Sequence, residues 1–212
     1  MAIDGDPLPS WLVRIFLAGA TGVIGSRLVP LLVAEGHQVT GMTRSPDKAG
    51  PLRELGADPV VCDVFDRDSL REAIVRARPD AILHELTDLP DDARRVPELA
   101  AANNRIRREG TRNLLDAAEA AEVGRFVAQS VAWDLPGEGG EAAADLERAV
   151  LEFGGVVVRY GRFYGPGTYH EAEPPDPPRI HVDEAARRTI PALSAPSGIL
   201  VVAEDEPSDA SP

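Results

Sequence analysis

The stretch "IFLAGATGVIGSRLVPLLVAEGHQVTGMTRS" (residues 15–45) decides the architecture. "VRIFLAG" (13–19) is a short apolar run ending in glycine, the signature of a buried strand. "VIGSRLVPLLVAEG" (23–36) spaces Val23, Ile24, Leu28, Leu31 and Leu32 as a helix does, with Gly36 as its stop and Pro30 predicting a bend. "HQVTGMT" (37–43) is a second strand. Gly19, Gly22 and Gly25 therefore fall between a strand and a helix. Lacking side chains there, the backbone turns sharply and brings the amides of Thr21, Val23 and Ile24 to the helix N-terminus, where a pyrophosphate is favoured.

Outward from this unit, strands and helices keep alternating. Strands are expected at 58–64, 80–86, 124–131, 156–160 and 198–204, and helices at 45–56, 66–79, 98–123, 141–155 and 182–193. Ser45 and Asp183 are the expected N-caps of the first and last of these helices. Residues 161–180, rich in glycine and proline, are expected to be loop. Parallel strands need crossovers, so the pattern predicts an α/β fold: one doubly wound parallel sheet with helices on both faces. The expected organisation is a leader at 1–11, a single domain at 12–204 and an acidic tail at 205–212.

The 212 residues carry a formal charge of -13 and are 43% hydrophobic, which suits one folded domain. Such acidity repels phosphate backbones and anionic lipid, so nucleic-acid and membrane partners are not expected. The one cysteine, Cys62, sits in an apolar run and reads as a core thiol. No paired spacing suggests a metal site. No stretch is apolar for long enough to span a bilayer, and the start has no signal-peptide pattern, so the expected location is cytoplasmic. The end of strand two reads Met42-Thr43-Arg44-Ser45, with no carboxylate to bind a ribose 2′-OH. Arg44 suits a 2′-phosphate instead, which favours NADP(H) and leaves NAD(H) as the alternative.

With "AGATGVIG" (18–25), "CDVFD" (62–66), "DAILHEL" (80–86), "EGTRNLLDAA" (109–118), "RFVAQS" (125–130), "VVVRYGRFYGPGT" (156–168) and "IHVDEAA" (180–186) in order, the chain resembles the short-chain dehydrogenase/reductase superfamily. The resemblance is to its extended and atypical epimerase/dehydratase-like branches. It implies a Rossmann fold. Asp63 and Val64 would then border the adenine, while Glu85 and Leu86, with Tyr160 and Gly161, would line the nicotinamide side. A small-molecule substrate is implied, and a homodimer through helices four and five is the candidate assembly. Ser130 matches the serine that binds a substrate carbonyl.

Two departures accompany the resemblance. Counting back from Glu147 puts Gly139 where the family has its acid–base tyrosine and Ala143 where it has the lysine, and no lysine follows Lys48. The family's long insertion before the "HVD" motif is also reduced to Thr168–Ile180, which leaves a reduced C-terminal substrate lobe. Candidates for the vacant proton chemistry are His84, which titrates near neutrality, and Tyr164. Among Arg105, Arg107, Arg108 and Arg112, one is expected to face the cleft and bind an anion. An oxidoreductase or epimerase/dehydratase-type enzyme, an NADP(H)-sensing accessory protein and a ligand-free interaction subunit all remain open. The glycine turn, Arg44 and Asp63 speak against the last.

Overall fold

A computed structural model describes residues 13–90 and 92–204. The expected leader and tail lie outside the described residues. The elements run β1 (Arg14–Ala18), α1 (Gly25–Ala34), β2 (Gln38–Thr43), α2 (Ala49–Glu54), β3 (Asp58–Val61), α3 (Arg67–Ala77), β4 (Ala81–His84), α4 (Ala100–Arg105), α5 (Thr111–Ala120), β5 (Arg125–Val131), α6 (Glu138–Glu152), β6 (Val156–Tyr160), β7 (Arg162–Tyr164), β8 (Arg179–His181), α7 (Val182–Thr189) and β9 (Gly198–Val202). Seven strands form one parallel sheet in the order β3-β2-β1-β4-β5-β6-β9. The chain reverses direction across the sheet between β1 and β4, which is where such folds open a crevice at the carboxyl ends of their strands.

Alternate side chains of a strand point to opposite faces, so a strand covered on both sides is apolar throughout. In β1, Ile15 and Leu17 join one core with Leu28 and Leu32 of α1 and Ala185 of α7. Phe16 and Ala18 join the other, with Leu70 and Ile74 of α3, Leu114 of α5 and Leu146 of α6. Helix α1 runs on through Pro30, whose ring lies on the exposed side. The two helices of the first face are also tied to each other, since Arg27 of α1 pairs with Asp183 of α7 at 2.7 Å.

That pair corrects one expectation. Asp183 does not cap α7; His181 occupies the N-cap, its Nδ1 accepting from the Asp183 amide at 3.3 Å. Ser45 likewise makes no side-chain cap. Its amide donates to Thr43 Oγ1 at 3.2 Å, and a 3-10 turn at Pro46–Lys48 precedes α2. The stretch 161–180 is not wholly loop, because β7 and β8 pair in parallel and the buried Ile180 sits opposite Phe163. The long helix expected at 98–123 is interrupted by a π-helical segment at Ile106–Gly110 between α4 and α5. Wide turns of this kind are found chiefly at functional sites.

Phe126 of β5 is fully buried, edge-on to Phe153 at 5.7 Å and to His84 at 6.4 Å. Phe126→Ala should cost about 3–5 kcal/mol of unfolding free energy. Urea denaturation checks this; a loss below about 1 kcal/mol would mean that sheet and helices do not close on this ring.

Candidate functional site

The cleft lies over the carboxyl ends of the strands and has a volume of about 1560 Å³. Its floor is built by close backbone approach. Gly19 has φ +93, and a Cβ there would stand 2.6 Å from the Glu85 carbonyl oxygen. A Cβ on Gly25 would stand 2.1 Å from the Gly19 carbonyl oxygen. The first and third glycines of the turn are therefore required by space alone. Ile24, the N-cap of α1, makes no side-chain cap bond, and the helix has no acidic residue in its first turn. The orphan amides of that turn are left for a ligand anion, so this cradle fits a pyrophosphate.

Gly19, Thr21, Gly22, Val23 and Ile24 line the cleft, as do Thr43 and Arg44, Glu85 and Leu86, and Tyr160 and Gly161. Gly25 lies just beneath it as the first residue of α1. Arg44 is half-exposed and pairs with Asp88 at 3.0 Å, through one arm of its guanidinium. Lys48, the chain's only lysine, lines the same end.

Asp63 and Val64 do not line the cleft. Strand β3 ends at Val61, short of the expected Val64. Asp63 then folds back to accept from the Phe65 amide at 2.9 Å, while the Val64 side chain is buried in the core. Cys62 next to them is a buried thiol, pushed up to about 11 by burial and by the nearby Asp66 and Asp63 carboxylates.

The three candidates for chemistry are each engaged in bonds within the protein. Ser130 lines the cleft, but its hydroxyl donates to Glu147 Oε1 at 2.6 Å. Glu147 is also gripped by Arg159 through two bonds, at 2.8 and 2.5 Å. This holds the carboxylate below its ordinary range against the opposing effect of burial. The single hydroxyl proton of Ser130 is thereby committed, and a substrate carbonyl would have to displace it. His84 is fully buried and does not face the cleft. The Leu86 amide donates to its Nδ1 at 3.3 Å, so the proton resides on Nε2, 3.0 Å from Thr111 Oγ1. Burial lowers its pKa to about 4. It is a neutral pin between β4 and α5. Tyr164 points away from the cleft, to Glu204 at 2.5 Å and edge-on to His181.

Glu85 is the unusual group. It is 3% exposed, its Oε2 is buried without a partner among the described residues, and burial raises its pKa to about 8 despite a hydrogen bond from Tyr160. The Thr189 hydroxyl lies 2.7 Å from the Ala185 carbonyl, which can only accept, so Thr189 donates there. The Tyr160 and Thr189 hydroxyls stand 2.6 Å apart, within hydrogen-bond distance. The Tyr160 hydroxyl donates to Glu85 Oε1 at 3.2 Å. Burial favours the neutral form of this carboxyl, and the network links Glu85, Tyr160, Thr189 and the Ala185 carbonyl.

Sequence reasoning missed the amides around the opening. Gln129 donates to the Leu86 carbonyl at 3.0 Å, and Asn103 accepts from the Asp88 amide at 3.1 Å. Asn103 and Asn104 are both buried and line the cleft. Their signal was two adjacent amides inside an alanine-rich helix. Tyr169 bridges the opposite rim through its hydroxyl to the Pro90 carbonyl.

The comparisons agree with this geometry. Residues 19–151 match a family model described as NAD(P)H-binding. A 3-diazoavenalumate denitrifying reductase from a Streptomyces species is 34% identical over 241 aligned positions, which take in 93% of this chain and 78% of that one. Cinnamoyl-CoA reductase 1 of Petunia hybrida is 38% identical over 120 positions, 53% of this chain and 33% of that enzyme. Among solved structures, the UDP-glucose 4-epimerase of Thermus thermophilus in complex with NAD superposes with a TM-score of 0.77. It is 20% identical, and the match covers 91% of this chain and 78% of that one, a likeness of fold.

Glu85 holds a proton that the unfolded chain releases between about pH 4.5 and 8, so it makes stability fall as pH rises across that window. His84, lowered from 6.5 to about 4, makes stability fall as pH drops through that range. The two oppose below pH 6.5. Above it Glu85 acts alone, at about 1.4 kcal/mol per pH unit. Melting curves should therefore lose roughly 2 kcal/mol of stability from about pH 6.5 to 8. Glu85→Gln should flatten that loss; an unchanged slope would place the titration elsewhere.

Proposed function

The chain belongs to the NAD(P)H-binding, short-chain dehydrogenase/reductase-type family of oxidoreductase- and epimerase-like enzymes, and from that premise we propose an NADP(H)-dependent oxidoreductase acting on a small molecule without the usual tyrosine–lysine pair. The observation that carries this reading is the pairing of the glycine cradle with a cationic end. Arg44 and Lys48 line the cleft beyond β2 in a protein whose net charge is -13. In so acidic a chain, two cations beside an anion cradle favour a second phosphate.

In this reading the amides of Thr21, Val23 and Ile24 hold the pyrophosphate, and the free arms of the Arg44 guanidinium hold the 2′-phosphate while one arm stays on Asp88. Leu86, positioned through its carbonyl by Gln129, and Gly161 border the nicotinamide end. The bound cofactor supplies hydride chemistry at a substrate carbon. The chain itself keeps a proton on Glu85 in the cleft floor, backed by Tyr160 and Thr189. The relatives fit this class: one is named a reductase of 3-diazoavenalumate and another a cinnamoyl-CoA reductase. A cytoplasmic location belongs to the same reading, supported by the lone buried thiol.

A second reading, an NADP(H)-sensing accessory protein, draws on the committed hydroxyl of Ser130 and the residues that stand in for tyrosine and lysine. NADPH consumption across a panel of carbonyl compounds separates the two. Turnover on any member supports the enzyme; nucleotide binding with no turnover supports the sensor.

Arg44→Ala should weaken NADP(H) roughly tenfold or more and NAD(H) by less than about threefold, as loss of one charge-assisted phosphate contact implies. Calorimetric titration of both nucleotides checks this. Equal losses for the two would remove the 2′-phosphate assignment. Gly25→Ala, which drives a methyl into the Gly19 carbonyl, should abolish binding of both nucleotides.

A further inference from the structure

The arginines of the helical run from α4 to α5 are not alike. Arg105 pairs with Glu109 at 2.6 Å and covers the Phe65 ring. Arg108 pairs with Asp145 of α6 at 2.8 Å. Arg107, between them in the π-helical segment, turns into the cleft and has no carboxylate within 4.0 Å among the described residues. Its one hydrogen bond is long, from Nη1 to the Gly139 carbonyl at 3.3 Å. A guanidinium has five donors in a planar fork, and here the rest are left for a ligand. Burial lowers the Arg107 pKa, and no nearby carboxylate offsets the effect. A half-buried cation without a counter-charge costs free energy that a bound anion would recover.

Its position says which anion. On the count back from Glu147, Gly139 stands where the family's tyrosine would be, so the guanidinium reaches the space beside the reacting position. That space lies across the sheet from Arg44 and the glycine cradle: β5 and α6 flank it, and β1 and β2 flank the cradle. The surroundings of Gly139 are Leu135 and the amide oxygen of Asn104, each 4.0 Å from where a Cβ would stand. Trp133 adds an aromatic wall. Helix α6 opens there with Glu138 and Glu141 in its first turn. A planar guanidinium fork beside an apolar wall matches a carboxylate carried on an apolar body.

We propose that Arg107 is the substrate-anchoring residue of this cleft and that the substrate is a small organic carboxylate with an apolar body, its carboxylate held by the guanidinium fork and its body on Trp133 and Leu135. This deepens the oxidoreductase reading and rests on it for the word substrate; the carboxylate site itself is testable with no nucleotide present.

The test is calorimetric titration with cinnamate, its uncharged amide cinnamamide, and phenyl phosphate, each with and without saturating NADP+. The wild-type protein should bind cinnamate at least about tenfold more tightly than cinnamamide. Arg107→Gln should bring the two within about twofold, and Arg105→Gln, a surface control from the same helix, should keep the preference. Affinity for NADP+ should change by less than about threefold in Arg107→Gln, which separates this site from the nucleotide's phosphates. In the unmutated protein an arginine side-chain Nε resonance should shift with cinnamate and not with cinnamamide, a readout that needs no variant to fold. The proposal is overturned by equal wild-type affinities for acid and amide, by a preference that survives Arg107→Gln, or by phenyl phosphate being the ligand that depends on Arg107. Failure to bind either pyridine nucleotide would instead overturn the oxidoreductase reading and leave the carboxylate result standing.

Discussion

The turn after β1 lies against the end of β4 with no room for a side chain, and the cleft follows from that contact. The Gly19 backbone rests on the Glu85 carbonyl, and Gly25 rests on Gly19. The contact brings the first amides of α1 over the sheet edge, where partial positive charge gathers. The Glu85 side chain is itself buried, against Tyr160. A carboxyl so covered holds its proton, because an ionised one would lack both water and a counter-charge. The anion cradle and the buried acid thus meet at one junction, between the turn after β1 and the end of β4.

Charge in this molecule is managed by pairing, which is why the exceptions stand out. A chain of net charge -13 places many of its arginines against carboxylates, at Arg14–Asp80, Arg27–Asp183, Arg67–Asp116 and Arg108–Asp145 among others. Such surface pairs each contribute little to stability. The cleft reverses the pattern. Arg107 carries no acid partner there, and Glu85 carries no base. Neither arrangement helps folding, and both sit where a ligand would be. Stability given up at a site that lines a cavity is commonly the mark of function.

The place of the family's catalytic serine shows how the same frame is used differently. Ser130 is in register on β5 beside Arg159 on β6, and Glu147 of α6 comes down between them. The three form a closed network that ties helix to sheet, and satisfied networks of this kind rigidify what they join. With the hydroxyl engaged in this way, unspent hydrogen-bonding capacity near the family's reacting position is found instead on the floor, at Glu85, and on the π-helical wall, at Arg107.

The layered α/β architecture, the parallel pairing and the glycine cradle were legible in the sequence because they depend on local properties. Apolar periodicity assigns each segment to strand or helix, crossovers force parallel pairing, and a triplet of glycines between strand and helix leaves the backbone bare. The presence of Arg44 beyond β2 followed from the same local order. What the tertiary structure alone decided was the partner of each polar group. Asp183 met Arg27, 156 residues away along the chain, instead of capping its own helix. His84 was spent on Thr111, Tyr164 on Glu204, and Ser130 on Glu147. Asp63 turned onto its own loop when β3 stopped early. A hydrogen bond or an ion pair is made over a few ångströms between residues whose separation along the chain carries no information about that distance, so periodicity could place these side chains on an element but not choose what they would touch.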